Sequence, residues 1–245
     1  MGKLEQALAK MAKGAPTVSL CICSIGPEGA PAIAAALAGN ETVTSLDLDN
    51  NDFGPQGTAA LVDALIQCKS LTDLNFNSNQ IGPEGAVAMA KVIEGSTSLT
   101  KLSLSDNGLE TENDDMGVKA IAKALESNTT LTEVHLSMND LEDGSGEALM
   151  AALEKNSTLL YLDLAHNALD DGTGEALAKA LEVNKTLKKV HLEDNVIADG
   201  ARPIIKALET NRTFAELCLA HNIGVTGDIL EPLDAALKRN GGGLL

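Results

Sequence analysis

The sequence predicts an α/β solenoid: a horseshoe of about eight repeated units, with parallel strands on the concave face and helices on the convex face. An apolar pattern, LxxLxLxxNxL, begins at residues 43, 71, 99, 131, 159, 187 and 214, with spacings of 28, 28, 32, 28, 28 and 27 residues. A stretch with helical apolar spacing follows each copy. The copies fill most of the chain, so we expect one domain over residues 1–245.

Each copy of the pattern predicts a short strand that ends in a turn. Apolar and polar residues alternate in the LxLxx core, which places the leucines in the interior and the residues between them on the concave surface. A stack of asparagine side chains at the turns would satisfy buried backbone groups of neighbouring units. These residues are Asn51, Asn79, Asn107, Asn139, Asn167, Asn195 and Asn222. In the first unit, at the start of the chain, Cys23 takes this place.

The segment after each turn predicts a helix of the convex face. Gly57, Leu61 and Leu65 illustrate the four-residue spacing that lays one apolar stripe along a helix. Small and acidic residues at 27–29, 83–85, 143–146 and 171–174 suit helix N-termini. Strands that alternate with such helices form a parallel sheet.

Both ends of the array carry candidate caps. Residues 1–14 read as a helix, with Leu4, Leu8 and Met11 on one stripe, that covers the first repeat. The repeats extend over 15–240, where Val225 and Leu237 belong to the last helix, and residues 241–245 form a tail.

Composition restricts the classes of function. The chain has 245 residues and a net charge of −17, which disfavours binding to nucleic-acid phosphates and to anionic membranes and favours a protein partner with a basic patch. Neither a signal peptide nor a run of about 20 apolar residues is present. The four cysteines are scattered, which favours free thiols in a reducing compartment. We therefore expect a cytoplasmic, non-catalytic monomer without a cofactor.

Five Asn-x-Thr sequences, which begin at Asn40, Asn128, Asn156, Asn184 and Asn211, lie where a helix ends and the next strand begins. In a secreted protein they would read as glycosylation sites. Here we expect each asparagine to take a left-handed conformation at the helix C-terminus.

The concave positions vary from unit to unit and are the candidate partner-binding residues. Tyr161 is the one aromatic side chain predicted on this surface, and an exposed tyrosine is a typical interface anchor. The alternative is a tyrosine that only covers the sheet. The full predicted set is Asp47, Asp49, Asp73, Glu133, His135, Tyr161, Asp163, His191, Glu193 and Glu216.

Two further features of the sequence bear on possible sites. The 32-residue spacing lengthens one loop on the rim, where Glu110, Glu112, Asp114 and Asp115 are candidate partner contacts; a solvated acidic bulge is the alternative. His135, Asp163 and His191 occupy equivalent places on three successive strands. Ligands on a gently curved sheet stay parallel instead of converging, so the row predicts neither a metal site nor a catalytic site.

The repeated LxxLxLxxNxL pattern resembles the leucine-rich-repeat family, and the period of about 28 residues is similar to its intracellular, ribonuclease-inhibitor-like subclass. The resemblance implies a horseshoe that binds proteins. The wording of the helix-to-strand segments from Glu126 and from Glu154 is similar to that of tropomodulins, which cap actin filaments. Tropomodulins also carry an extended N-terminal half, for which an array that begins near residue 15 leaves no room.

Other members of the family imply other functions. The Ran GTPase-activating protein is a similar acidic array, but the arginines available here, Arg202, Arg212 and Arg239, are expected on the helix side or its loops. Ribonuclease inhibitors are rich in Cys and Trp, whereas this chain has four and none. The repeats of NOD-like receptors accompany a nucleotide-binding domain, and no phosphate-loop motif occurs in this sequence. Actin regulation and GTPase activation therefore remain alternatives to a general interaction scaffold.

Overall fold

The computed structural model describes residues 2–112 and 114–245, so Met1 of the cap and Asn113 of the rim loop lie outside it. The described residues form helices that alternate with short strands. The helices are α1 (Lys3–Ala12), α2 (Gly26–Leu37), α3 (Gly54–Gln67), α4 (Gly82–Gly95), α5 (Met116–Ser127), α6 (Asp143–Leu153), α7 (Asp171–Val183), α8 (Arg202–Ala207) and α9 (Gly227–Arg239). The strands are β1 (Thr17–Ser19), β2 (Ser45–Asp47), β3 (Asp73–Asn75), β4 (Lys101–Ser103), β5 (Glu133–His135), β6 (Tyr161–Asp163), β7 (Lys189–His191), β8 (Glu216–Cys218) and β9 (Gly243–Leu244).

Within the described residues the strands form one open parallel sheet in sequence order, β1 to β9. Each strand pairs with the next at a register of one repeat, as in Leu46 opposite Leu74 and Leu74 opposite Leu102. These central residues are 0–1% exposed, whereas the residues on either side face the hollow of the horseshoe. The predicted α/β solenoid is confirmed, with one strand more than the eight units read from the sequence.

The core is one aliphatic layer between the sheet and the helices. Phe53 and Phe76 stack within it at a centroid distance of 5.2 Å. Neighbouring helices approach each other closely because small residues lie between them. A Cβ added at Gly117 on α5 would come within 2.6 Å of the Ala86 Cβ on α4, so a larger residue would push these helices apart.

The predicted asparagine stack is present at the turns. The Asn79 amide nitrogen Nδ2 donates to the carbonyls of Leu48, Phe76 and Asn77 at 2.8–3.0 Å, and its Oδ1 accepts the Asn51 N–H at 3.1 Å. Equivalent bonds recur at Asn107, where Nδ2 donates to three carbonyls and Oδ1 accepts from Asn79. One side chain thus satisfies backbone groups of two adjacent units.

The prediction of a left-handed asparagine at the helix ends is wrong. Asn128 and Asn184 are extended, with φ of −69° at both. The asparagine side chains at the helix ends form a second ladder. In Asn156, for example, Nδ2 donates to the carbonyls of Leu125 and Asn128, and Oδ1 accepts from the backbone of residues 158 and 159. Burial of Asn128, Asn156, Asn184 and Asn211 makes these amides structural instead of acceptors for a glycan.

The ends of the array are covered as follows. Helix α1 buries Ala7 and Met11 against the first repeat, while Leu4 and Leu8 of the predicted stripe are partly buried there. Val225 precedes the last helix, which begins at Gly227. The predicted tail 241–245 contributes β9, which pairs with β8 through backbone hydrogen bonds.

Candidate protein-interaction surface

The concave face consists of three rows of side chains that run along the solenoid. The one-repeat register places equivalent residues of successive units side by side. The first row is Thr17, Ser45, Asp73, Lys101, Glu133, Tyr161, Lys189 and Glu216; the second is Ser19, Asp47, Asn75, Ser103, His135, Asp163, His191 and Cys218; the third is Cys21, Asp49, Asn77, Ser105, Ser137, Ala165, Glu193 and Ala220. Every predicted concave residue therefore lies on this face.

In the N-terminal half, Asp47, Asp49 and Asp73 form what we call the N-terminal acidic patch. Asp47 accepts hydrogen bonds from the Ser19 hydroxyl at 2.8 Å and the Asn75 amide at 3.0 Å. No Lys, Arg or His of the described residues forms an ion pair with any of the three carboxylates. No cation of the described residues within ion-pair distance therefore compensates their negative charge.

The other two carboxylates of the patch have similar surroundings. Asp73 accepts from the Ser45 hydroxyl at 3.5 Å, and Asp49 accepts from the Cys21 thiol at 3.2 Å. The hydrogen bond to Asp49, with burial and the nearby negative charges of Asp49 and Asp47, raises the pKa of Cys21 to about 11. The thiol therefore stays protonated at neutral pH.

In the C-terminal half the concave side chains contact one another directly. The histidine–tyrosine network comprises Glu133, His135, Tyr161, Asp163, His191, Glu193 and Glu216. At its centre His135 contacts Asp163 (Nδ1 to Oδ2, 3.2 Å) and Glu133 (Nε2 to Oε1, 2.7 Å). Lys101 pairs with the same Glu133 oxygen at 2.6 Å. Carboxylates in this half are therefore matched by cations or imidazoles.

Tyr161 lies between two histidine rings. Its centroid is 5.2 Å from that of His135 and 5.1 Å from that of His191, both in edge-on geometry, and its hydroxyl contacts His191 Nδ1 at 3.1 Å. His191 Nε2 lies 3.5 Å from Glu216, which pairs with Lys189 at 2.7 Å. The predicted anchor is thus a half-buried, fixed ring instead of a freely exposed one.

The pKa shifts follow from these contacts. Burial lowers the pKa of His135, but the hydrogen bonds to Asp163 and Glu133 outweigh it, so the pKa is raised above the ordinary 6.5. Burial works against ionisation of Asp163, yet the His135 and Ala165 hydrogen bonds lower its pKa. Burial and the adjacent carboxylates raise the pKa of Tyr161, which therefore stays neutral.

A second His–Asp–His row lies on the rim beside the network and was not singled out from the sequence. Asp194 Oδ2 lies between His166 Nδ1 at 3.5 Å and His221 Nδ1 at 3.1 Å. These three residues each precede an asparagine of the turn stack. The same repeat spacing that revealed His135, Asp163 and His191 would have revealed them.

Among the described residues, no group of three or more His, Cys, Asp or Glu side chains is placed to hold a metal ion. Two of the three arginines considered for GTPase activation are engaged on the helix side or its loops: Arg202 pairs with Asp199 and Asp228, and Arg212 donates to backbone carbonyls. Arg239 is the last residue of α9.

The rim loop differs from its prediction at Glu110. This side chain is 5% exposed, and its carboxylate accepts the Glu142 N–H at the start of α6, where the positive end of the helix favours an anion. Burial raises its pKa. Glu112 is exposed and Asp115 pairs with Lys119 at 2.5 Å, while Asp114 is half-buried. Glu110 is therefore a structural residue, and Glu112, Asp114 and Asp115 remain the candidate rim contacts.

A profile of the Leucine Rich repeat family matches residues 39–62, 67–90, 95–122, 127–150 and 155–178, which together make up just over half of the chain. The chain belongs to the leucine-rich-repeat family, as its motif predicted. Repeat arrays of this family are protein-interaction scaffolds and are generally non-catalytic. No curated protein sequence matches the chain.

Solved structures share the fold at low sequence identity. Leiomodin-1 actin-binding site 2 is 21% identical over 64% of this chain and 88% of its own, with a TM-score of 0.53. The tropomodulin C-terminal domain of Caenorhabditis elegans is 14% identical over 65% of this chain and 93% of its own, with a TM-score of 0.53. Human 5T4, a trophoblast glycoprotein, is 18% identical over 83% of this chain and 70% of its own, with a TM-score of 0.55. At these identities the likeness concerns the fold.

Across residues 2–112 and 114–245, none of the helices has the length and apolar character to cross a bilayer. Cys21, Cys23, Cys68 and Cys218 are free thiols, as expected from their spacing.

Proposed function

We propose that this protein is a non-catalytic scaffold that binds a protein partner with a basic patch on its concave face. The observation that carries the proposal is the N-terminal acidic patch, whose carboxylates face the hollow with neutral hydrogen-bond donors as their partners. Unpaired carboxylates on a concave wall attract cationic side chains and accelerate association. The patch thus favours a partner with cationic side chains, and the fixed ring of Tyr161 in the adjacent half supplies an apolar contact.

The remaining parts of the proposal rest on charge and thiol chemistry. A net charge of −17 argues against nucleic-acid and anionic-membrane partners. Free thiols suit a reducing compartment, so we place the protein in the cytoplasm, as a monomer.

The test is affinity capture with mass spectrometry from cytosol of the source cells, with charge-reversal variants. The first variant carries Asp47→Lys, Asp49→Lys and Asp73→Lys. Its matched control carries Asp63→Lys, Glu84→Lys and Glu94→Lys, the same change in charge at exposed residues of α3 and α4 on the convex face.

We expect a partner that the wild type and the control retain, that the patch variant loses, and that elutes as salt rises, because exposed charges are screened. Equal retention by both variants would place binding on the helices or the rim and contradict the proposal.

A second candidate is association with actin. It is motivated by the likeness in fold to leiomodin-1 actin-binding site 2 and to a tropomodulin domain. Sedimentation with actin filaments, together with the rate of pyrene-actin assembly, tests it. No co-sedimentation and no change in rate would eliminate this candidate without affecting the first.

A further inference from the structure

The chain has four histidines, and all of them lie on the concave face or its rim in the C-terminal half. They form two rows: His135, Asp163 and His191 on β5 to β7, and His166, Asp194 and His221 one repeat further along. In the N-terminal half the equivalent places hold residues such as Asp47, Asn75 and Asp106. Histidine is the side chain whose charge ordinarily changes between pH 5 and 8.

His135 and His191 each face carboxylates from a neighbouring strand and from their own segment. His135 faces Asp163 and Tyr161 on β6 and Glu133 on its own strand, with Lys101 of β4 on the far side of Glu133.

His191 faces Tyr161 on β6, Glu216 on β8 and Glu193 after its own strand. Asp163 on β6 also lies within electrostatic range of it. Lys189 approaches Glu216 from the other side.

The rim row is simpler. His166 and His221 both approach the same Asp194 oxygen, from the repeats before and after it. The side chains of these residues are 47%, 76% and 37% exposed, so their charges act on the surface around them.

We propose, on the basis of the proposed function, that protonation of these two rows makes the binding of a basic partner pH-dependent: the face holds the partner near neutral pH and releases it on mild acidification. With neutral histidines, five carboxylates (Glu133, Asp163, Glu193, Asp194 and Glu216) face two lysines, so the half carries a net charge of −3. With all four histidines protonated, the net charge becomes +1. The half then changes from attracting a cationic segment to repelling it.

The test uses decalysine with a blocked N-terminus as the probe, since its lysine side chains stay charged between pH 5.5 and 8. Binding is measured by calorimetry at low salt at both pH values. The first variant replaces all four histidines with Gln, and the second replaces only the exposed His166 and His221. Circular dichroism checks that each variant is folded. Asp143 on the helix side, whose pKa is raised to about 6 by burial and by Asp170, titrates in the same window but stays in every variant.

For the wild type we expect binding about tenfold weaker at pH 5.5 than at pH 8, because four added charges at about 10 Å each act through a high-dielectric medium. The fourfold variant should show a ratio near one and the double variant an intermediate ratio. A wild-type ratio shared by the fourfold variant would overturn the inference and leave the proposed function standing. No binding of decalysine at either pH would overturn both.

Discussion

The two halves of the concave face share the same backbone arrangement, but their carboxylates have different contact partners. Asp47 on β2 and Asp163 on β6 occupy the same row of the sheet. Asp47 accepts from a hydroxyl and an amide, whereas Asp163 contacts His135 in a cluster that also holds Glu133 and Lys101. The difference teaches that one repeat scaffold can present carboxylates whose partners are neutral donors next to carboxylates that contact lysines and histidines.

The largest expected effect concerns the asparagine stack and tests whether it supports the backbone equally in both halves of the solenoid. Asn79→Ala in the N-terminal half and Asn195→Ala in the C-terminal half each remove three hydrogen bonds that Nδ2 donates and one that Oδ1 accepts. Each substitution leaves buried backbone groups unsatisfied, so we expect both to lower the free energy of unfolding by about 3 kcal/mol. Urea denaturation measures the two values. A loss in one half alone would mean that the halves differ in their backbone support as well as in their surface.

A smaller effect tests the comparison between the matched aspartates. Asp163→Asn removes a charge next to His135, and we expect the free energy of unfolding at pH 6 to fall by about 1–2 kcal/mol. Asp47→Asn, its counterpart in the same row, removes a charge that no cation of the described residues balances, and should change stability by less than about 0.5 kcal/mol. Equal losses would show that Asp47 is as well compensated as Asp163.

The smallest effect concerns the pH dependence of stability. Because the pKa of His135 is raised in the folded protein, its protonated form stabilises the fold below about pH 6.5, and this contribution is lost as pH rises through the folded pKa. The stability of the wild type relative to His135→Gln should therefore decline between pH 5.5 and pH 8.5. Urea denaturation at the two pH values measures the difference. A relative stability that increases with pH would reverse the sign and exclude the Asp163 and Glu133 contacts as its cause.

The sequence predicted the fold well because the same apolar and asparagine pattern recurs in every unit. The leucines fix the interior of each strand, and the asparagine fixes its turn. Strand β9 was not predicted, because Gly243 and Leu244 carry no motif and pair through the backbone alone. The left-handed expectation for Asn128 failed because its side chain satisfies backbone groups of the preceding and following segments, and this requires an extended backbone.

The sequence predicted which residues lie on the concave face but not which of them contact one another. Repeat spacing shows that Glu133, His135 and Tyr161 are neighbours, but it does not show which rotamers bring them together. Glu110 looked like an exposed loop residue, because the packing of its loop against the start of α6 leaves no trace in the local sequence. Tertiary contacts across one repeat therefore decide which carboxylates are free.

The central claim is that the carboxylates of the N-terminal acidic patch, which form no ion pair within the described residues, attract a basic partner. Its most direct test is a nuclear magnetic resonance titration of the labelled protein with decalysine at pH 8. We expect the largest amide shift changes on residues 45–49 and 73–77, with smaller changes on β5 to β7. Changes that are largest on β5 to β7, or on the convex helices, would contradict it.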